Sequence, residues 1–270
     1  MKPILLVDFG STNTKVTAGD VEGCEILGTA AAYTTVETDI NNGLCDALEL
    51  LEKTVGHMEY EERYACSSAA GGLKMISIGL VPELTAQASK EASLGAGAKV
   101  WKTYSFNLTK GDMREIEKYH PDIILLTGGT DGGNAECILY NAKMLADLSY
   151  DCPIVIAGNR CAAEECQEIL EGRTTYICEN VMPRLGELNI EPTQKQIREI
   201  FLKRIVQGKG LSEASDLVSG IIMPTPSAML AAMELLSDGW EDCRGIGELV
   251  GVDLGGATTD VYSIADGNPA

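Results

Sequence analysis

The chain opens on a short apolar run, Ile4–Val7, closed by Asp8, then turns polar and small through Gly10, Ser11, Thr12, Asn13 and Thr14. A second β-type run, Lys15–Ala18, follows, so strand, turn, strand is expected. Asn41–Val55 places Leu44, Leu48 and Leu51 on one helical face. From about Tyr64 the pattern changes to alternation. Strands are expected at Lys74–Gly79, Lys99–Phe106, Asp122–Thr127, Pro153–Ala157 and Thr174–Cys178. Between them the spacing predicts helices at Pro82–Ala92, Lys110–Tyr119, Ala135–Leu148 and Cys161–Leu170. Strands joined by crossover helices argue a parallel α/β sheet with right-handed connections. Two further helices follow, Thr193–Val206 and Pro226–Ser237, the second opened by Pro and closed by Gly239. Leu249–Leu254 and Val261–Ile264 then frame a second glycine-rich strand–turn–strand.

Composition narrows the class. With 270 residues, 45% hydrophobic and 23% charged, the chain has material for about two globular domains. No apolar run reaches the roughly 18 residues of a membrane span. Met1-Lys2-Pro3 leads straight into Ile4–Asp8, too short an apolar stretch for a signal peptide, so a cytoplasmic protein is expected. The balance of 21 basic against 40 acidic residues, net −19, repels phosphate backbones and disfavours nucleic acid as a partner. A bound anion would need local neutralisation by amides, a lysine or a metal ion. Nine cysteines without a CxxC spacing read as free thiols in a reducing compartment. Two histidines leave almost no material for a histidine metal site or a Ser-His-Asp triad.

The two ends of the chain rhyme. Asp8-Phe9-Gly10-Ser11-Thr12-Asn13-Thr14-Lys15 and Asp253-Leu254-Gly255-Gly256-Ala257-Thr258-Thr259-Asp260 each put an aspartate at a strand end, then glycine and hydroxyl residues, then a strand. Glycine lets such a turn point several backbone amides at one anion. The aspartates can hold Mg²⁺ through water, and Lys15 can reach a phosphate oxygen. One such turn is ordinary hairpin chemistry; two facing each other would clamp a polyphosphate. A third loop, Thr127-Gly128-Gly129-Thr130-Asp131-Gly132-Gly133, ends a strand and precedes a helix, where open α/β sheets bind ligands. It reads equally as an anion or partner site, with Asp131 adding a metal contact, or as a tight turn. Gly95-Ala96-Gly97-Ala98 follows a helix and reads as a helix end rather than a dinucleotide motif.

The paired turns resemble the phosphate 1 and phosphate 2 loops of the actin, hexokinase and heat-shock-chaperone ATPase superfamily. Longer stretches are similar to the MutL family associated with glutamate mutase, which is unrelated to the mismatch-repair protein of that name. They are Cys66–Leu73, Gly79–Thr85, Leu126–Asn134 and Met223-Pro224-Thr225-Pro226, and the similarity covers nearly the whole chain. The resemblance implies a ribonuclease-H-like ATPase lobe over residues 1–63 and 181–270, with an inserted parallel α/β domain at 64–180. It implies ATP and Mg²⁺ as ligands, with Asp8 and Asp253 holding the ion and orienting water, and Lys15 neutralising the β/γ-phosphates. Gly10–Thr14 and Gly255–Thr259 would cradle the oxygens. It implies, further, an ATP-driven reactivator that expels damaged cobalamin from an adenosylcobalamin-dependent mutase, whose subunits are the partners. An assembly of several copies stays open. The adenosine-contacting glycine motif expected after the phosphate 2 loop has no counterpart before Ala270, so the chain is expected to be the N-terminal part of a longer, active protein. Two other readings stand: a small-molecule kinase with Asp131 as the substrate-directed carboxylate, and a binding module without hydrolysis.

Overall fold

A computed structural model describes residues 1–35, 39–68, 73–93, 96–208, 221–241, 243–256, 259–265 and 268–269. It divides into two compact units, Met1–Gly72 with Leu202–Ala270, and Leu73–Phe201.

The first unit is built on β1 (Pro3–Phe9), β2 (Asn13–Asp20), β3 (Glu25–Tyr33) and β4 (Glu62–Ser67), with helix α1 (Ile40–Val55) between β3 and β4. β1 and β2 form the expected hairpin, with Asp8 paired to Lys15 across the ladder. β3 extends the sheet antiparallel to β2, while β4 runs parallel to β1 on its other side. Alternation sorts the side chains: Leu5, Val7 and Phe9 of β1, Val16 and Ala18 of β2 and Ala65 of β4 are buried. Ile40, Leu44, Ala47 and Leu51 of α1 are buried as well, the amphipathic stripe anticipated from the leucine spacing. Asp39 caps the helix, its carboxylate accepting the Asn41 N–H at 2.8 Å.

The second unit is a five-stranded parallel sheet of β5 (Leu73–Gly79), β6 (Ala98–Ser105), β7 (Ile123–Leu126), β8 (Ile154–Ile156) and β9 (Thr175–Ile177), ordered β6-β5-β7-β8-β9. The crossovers are α2 (Pro82–Ser93), α3 (Lys110–Tyr119), α4 (Glu136–Ala146) and α5 (Arg160–Ile169). Ile76, Ile78, Ile124, Leu126, Ile154 and Ile156 form a fully buried seam that meets Ile138, Ala142 and Leu145 of α4. Asn141 is wholly buried yet satisfied: its amide oxygen accepts the Leu108 N–H at 2.8 Å and its nitrogen donates to the Phe106 carbonyl at 2.9 Å. α6 (Glu191–Gly208) follows, with Ile197, Ile200 and Phe201 buried.

The remaining elements return to the first unit: β10 (Ile221–Pro224), α7 (Thr225–Asp238), β11 (Gly239–Trp240), β12 (Cys243–Arg244), β13 (Leu249–Leu254), β14 (Thr259–Ala265) and β15 (Asn268–Pro269). β10 pairs parallel with β4, completing the order β10-β4-β1-β2-β3. β13, β14 and β15 make a separate antiparallel sheet against which α7 packs. The units thus begin and end elsewhere than at the expected 64 and 180. Residues 62–67 belong to the first sheet because β4 lies beside β1, and the second unit runs on to Phe201 through α6.

Candidate functional site

In the first unit, a cleft of about 340 Å³ opens on one face of the sheet. Alternation brings Leu6 and Asp8 of β1, Lys15 and Thr17 of β2, and Tyr64 and Cys66 of β4 to it, with Met223 of β10 and Ala228 of α7. At its centre the Asp8 carboxylate is held from several sides. Thr225, the first residue of α7, donates its hydroxyl to Asp8 Oδ1 at 2.8 Å, and the Cys66 thiol donates to the same oxygen at 3.5 Å. Thr225 Oγ1 and Cys66 Sγ are themselves 3.5 Å apart. Lys15 Nζ lies 3.7 Å from Asp8 Oδ2, with the lysine side chain 63% exposed and the aspartate only 25%. That ion pair is worth little by itself in water. It leaves the ammonium free to turn toward an incoming anion. Burial, with the Asp8 carboxylate adding to it, pushes the Cys66 thiol up to about 12, so it stays protonated at neutral pH.

The first turn is tight. Gly10 N–H donates to the Asp8 and Asn13 carbonyls, each at 3.1 Å, and the Thr12 carbonyl accepts the Thr34 N–H at 2.8 Å. Thr14 is buried with its hydroxyl 3.1 Å from that of Thr34, so its side chain belongs to the sheet interior. Ser11 lies at the turn and Asn13 opens β2. The second turn carries Asp253 on β13, paired with Asp260, and then exposed Gly255 and Gly256; Thr259 opens β14. Ala257 and Thr258 lie outside the described residues. The two turns meet: a Cβ placed on Gly256 would strike the Thr12 hydroxyl and come within 3.1 Å of Thr12 Cβ. Only a residue without a side chain permits that approach.

Sequence reasoning singled out Asp8 and Lys15 but not Thr225 or Cys66. Both stood inside quoted motifs, and their signal is the pairing of β4 beside β1 and β10 beside β4, which no local pattern displays.

The third loop lies in the second unit and is fastened from within. Asn159 Oδ1 accepts the Gly132 N–H at 3.0 Å, while the Asp131 N–H reaches the Pro183 carbonyl at 3.0 Å and the Gly133 N–H that of Thr130 at 2.9 Å. Asn180 donates to the Gly129 carbonyl at 3.0 Å and to Asp131 Oδ1 at 2.9 Å. Asp131 also accepts the Arg160 N–H at 3.0 Å and faces that guanidinium at 3.9 Å. Its Oδ1 is thus held by neighbours of its own fold, while Oδ2 faces, among the described residues, only the exposed Arg160 guanidinium. The described residues hold no group of three or more His, Cys, Asp or Glu able to bind a metal ion. No described helix is long and apolar enough to cross a membrane.

A mixed sheet of this strand order, with an acidic strand end over a cleft and a second acidic turn brought against the first, defines a ribonuclease-H-like α/β protein. Within that class the chain belongs to the MutL family, whose model, described as MutL protein, matches residues 4–270. A curated relative, "Protein MutL" of Clostridium tetanomorphum, is 52% identical over the whole chain. The chain spans 59% of that relative's length. Among solved structures, nucleotide-free acetone carboxylase aligns with 98% of this chain and 44% of its own, at 13% identity and a TM-score of 0.39. The activator of 2-hydroxyisocaproyl-CoA dehydratase from Clostridium difficile, with bound ADPNP, aligns with 81% of this chain and 99% of its own, at 10% identity and a TM-score of 0.22.

Proposed function

We propose that this chain carries the phosphate-binding part of an ATP-dependent reactivating factor for an adenosylcobalamin-dependent mutase of the glutamate mutase or aminomutase type. The observation that carries this reading is the approach of Gly256 to Thr12, which sets two amide-bearing turns against each other beside Asp8 and Lys15. MutL membership supports the mutase as partner.

The donor set fits Mg-ATP. Asp8 and Asp253 offer hard carboxylate oxygens, and Mg²⁺ keeps several waters while bound by one or two carboxylates and substrate phosphates. The protonated Cys66 thiol is no ligand for such an ion. When bound, Mg²⁺ supplies charge neutralisation of the phosphates. Lys15 leaves its loose pair with Asp8 and neutralises the β/γ-phosphates, while the turns at Gly10–Asn13 and Gly255–Thr259 orient the oxygens. Thr225 fixes the Asp8 carboxylate, and Asp253 orients the attacking water. Positioning and neutralisation are most of what phosphoryl transfer requires. The second unit grips the mutase, and nucleotide state biases that grip so that damaged cobalamin leaves. The kinase reading is less favoured, since Asn180 and Arg160 already hold Oδ1 of Asp131, its candidate carboxylate.

The test is recovery of turnover by inactivated mutase mixed with the full-length protein and Mg-ATP. Recovery that requires hydrolysable nucleotide and is lost in Lys15→Ala supports the proposal. Recovery without nucleotide, or none with it, rejects it.

A further inference from the structure

We infer that the second unit has a ligand site of its own, a pocket for a small uncharged molecule at the point where its strand order reverses. From β5 the chain crosses to β6 on one side, and β7 lies on the other. The loops leaving β5 and β7 therefore diverge, and open α/β sheets bind ligands in the crevice so formed. A pocket of about 170 Å³ lies there, walled by Leu80, Leu84 and Ala88 on one side, Met182 on another, and floored by Thr85 and Thr127.

Three observations define the occupant. The first is size: a cavity of about 150 Å³ lined by apolar side chains admits benzene, so roughly six to eight heavy atoms fit here. The second is charge. None of the described residues lining the pocket is charged, in a chain of net −19. Among them an anion would meet only the backbone amides of Gly128, Gly129 and Thr130 and no cationic side chain. The third is a donor: Thr85, 4% exposed, lines the pocket with its hydroxyl side chain. It lies beside the Thr127 hydroxyl, which donates to the Ile78 carbonyl at 3.0 Å. Both crowd Gly79, where a Cβ would come within 2.7 Å of Thr127 Oγ1. A ligand carbonyl that accepts from the Thr85 hydroxyl gains a hydrogen bond inside the pocket. The ligand is thus a neutral molecule with a compact aliphatic or ring body and one acceptor for Thr85. No residue assigned to the nucleotide takes part, so the inference stands or falls apart from the ATP reading.

The probe is isobutyramide, with isobutyrate as its charged counterpart of equal shape. The 270-residue protein is labelled with methyl-¹³C methionine, and the Met182 signal, assigned through Met182→Leu, is followed during titration. A saturable shift is expected with isobutyramide, with isobutyrate binding about tenfold more weakly. Thr85→Val, which keeps the shape and removes the hydroxyl, should weaken the amide about fivefold, while Thr85→Ser restores it. Ala88→Leu fills the pocket and should abolish the shift even if Thr85→Val fails to fold. A shift that never saturates, equal binding of the carboxylate, or indifference to both pocket variants overturns the proposal.

Discussion

At the scale of single residues, the proposed site around Asp8 separates binding from chemistry. Lys15 is mostly exposed and loosely paired, so replacing it costs the fold little. A charge-assisted contact to phosphate is worth roughly 1.5–3 kcal/mol, so Lys15→Ala should weaken Mg-ATP binding by about 10- to 150-fold in the full-length protein, as calorimetry can check. Asp253→Asn should behave in the opposite way, retaining most of the affinity and losing hydrolysis in a phosphate-release assay. Thr225→Val removes the hydroxyl that holds Asp8 Oδ1 at 2.8 Å. Hydrolysis should fall about 10- to 150-fold while affinity stays within a factor of three, since a hydrogen bond to a charged group is worth roughly 1.5–3 kcal/mol. An unchanged rate would remove Thr225 from any positioning role. Asp8 and Lys15 were legible because they sit seven residues apart on one hairpin whose turn chemistry is local. Thr225 reaches Asp8 across 217 residues of sequence, and no windowed pattern carries such a pairing.

At the scale of elements, apolar periodicity located every strand and helix crossover of the second unit, because its central strands β5, β7 and β8 are short, largely buried runs between amphipathic helices. It missed β3, β4 and β10. β3 is largely small residues, Gly28 to Ala32, which let α1 lie close and leave no apolar alternation to read. β4 carries Glu62, Arg63 and Tyr64 toward its start, and β10 is only four residues long. The caps have consequences that can be measured. Thr109 and Asp112 form a reciprocal capping box on α3, so Thr109→Ala should cost about 1 kcal/mol in urea unfolding. Arg173 does more, donating to the Ala146 carbonyl at 2.7 Å and the Tyr150 carbonyl at 2.6 Å, and to that of Leu148, where α4 ends. A lysine cannot span these acceptors with one ammonium, so Arg173→Lys should destabilise by about 1–3 kcal/mol. A loss below a few tenths would mean water satisfies those carbonyls as well as the guanidinium does.

For the whole molecule, the dominant titration lies on the alkaline side. Burial raises the thiols of Cys152 and Cys166 to about 12, as it does that of Cys66, and that of Cys178 to about 11. A thiol held protonated in the fold but free to ionise near 9 when unfolded leaves stability untouched below that pH. Above it the unfolded chain sheds protons that the native one keeps, and stability falls until the folded value is reached. Each such thiol contributes a slope of at most about 1.4 kcal/mol per pH unit. The urea midpoint should therefore drop between pH 8.5 and 10.5, and drop less in Cys166→Ala. A flat midpoint over that interval would contradict the buried, protonated thiols.

The pairing of β10 with β4 bears on the order of events during synthesis. Ala65 emerges from the ribosome long before its partner Ile221. At about 5–20 residues per second the wait is of order 10–30 s. Throughout it the host sheet has one flank bare, and by its end residues 73–201 are complete and free to fold. The guest then precedes its host. A nascent chain stalled when residue 205 has just left the ribosome should yield to protease in its leading segment while the stretch behind it resists.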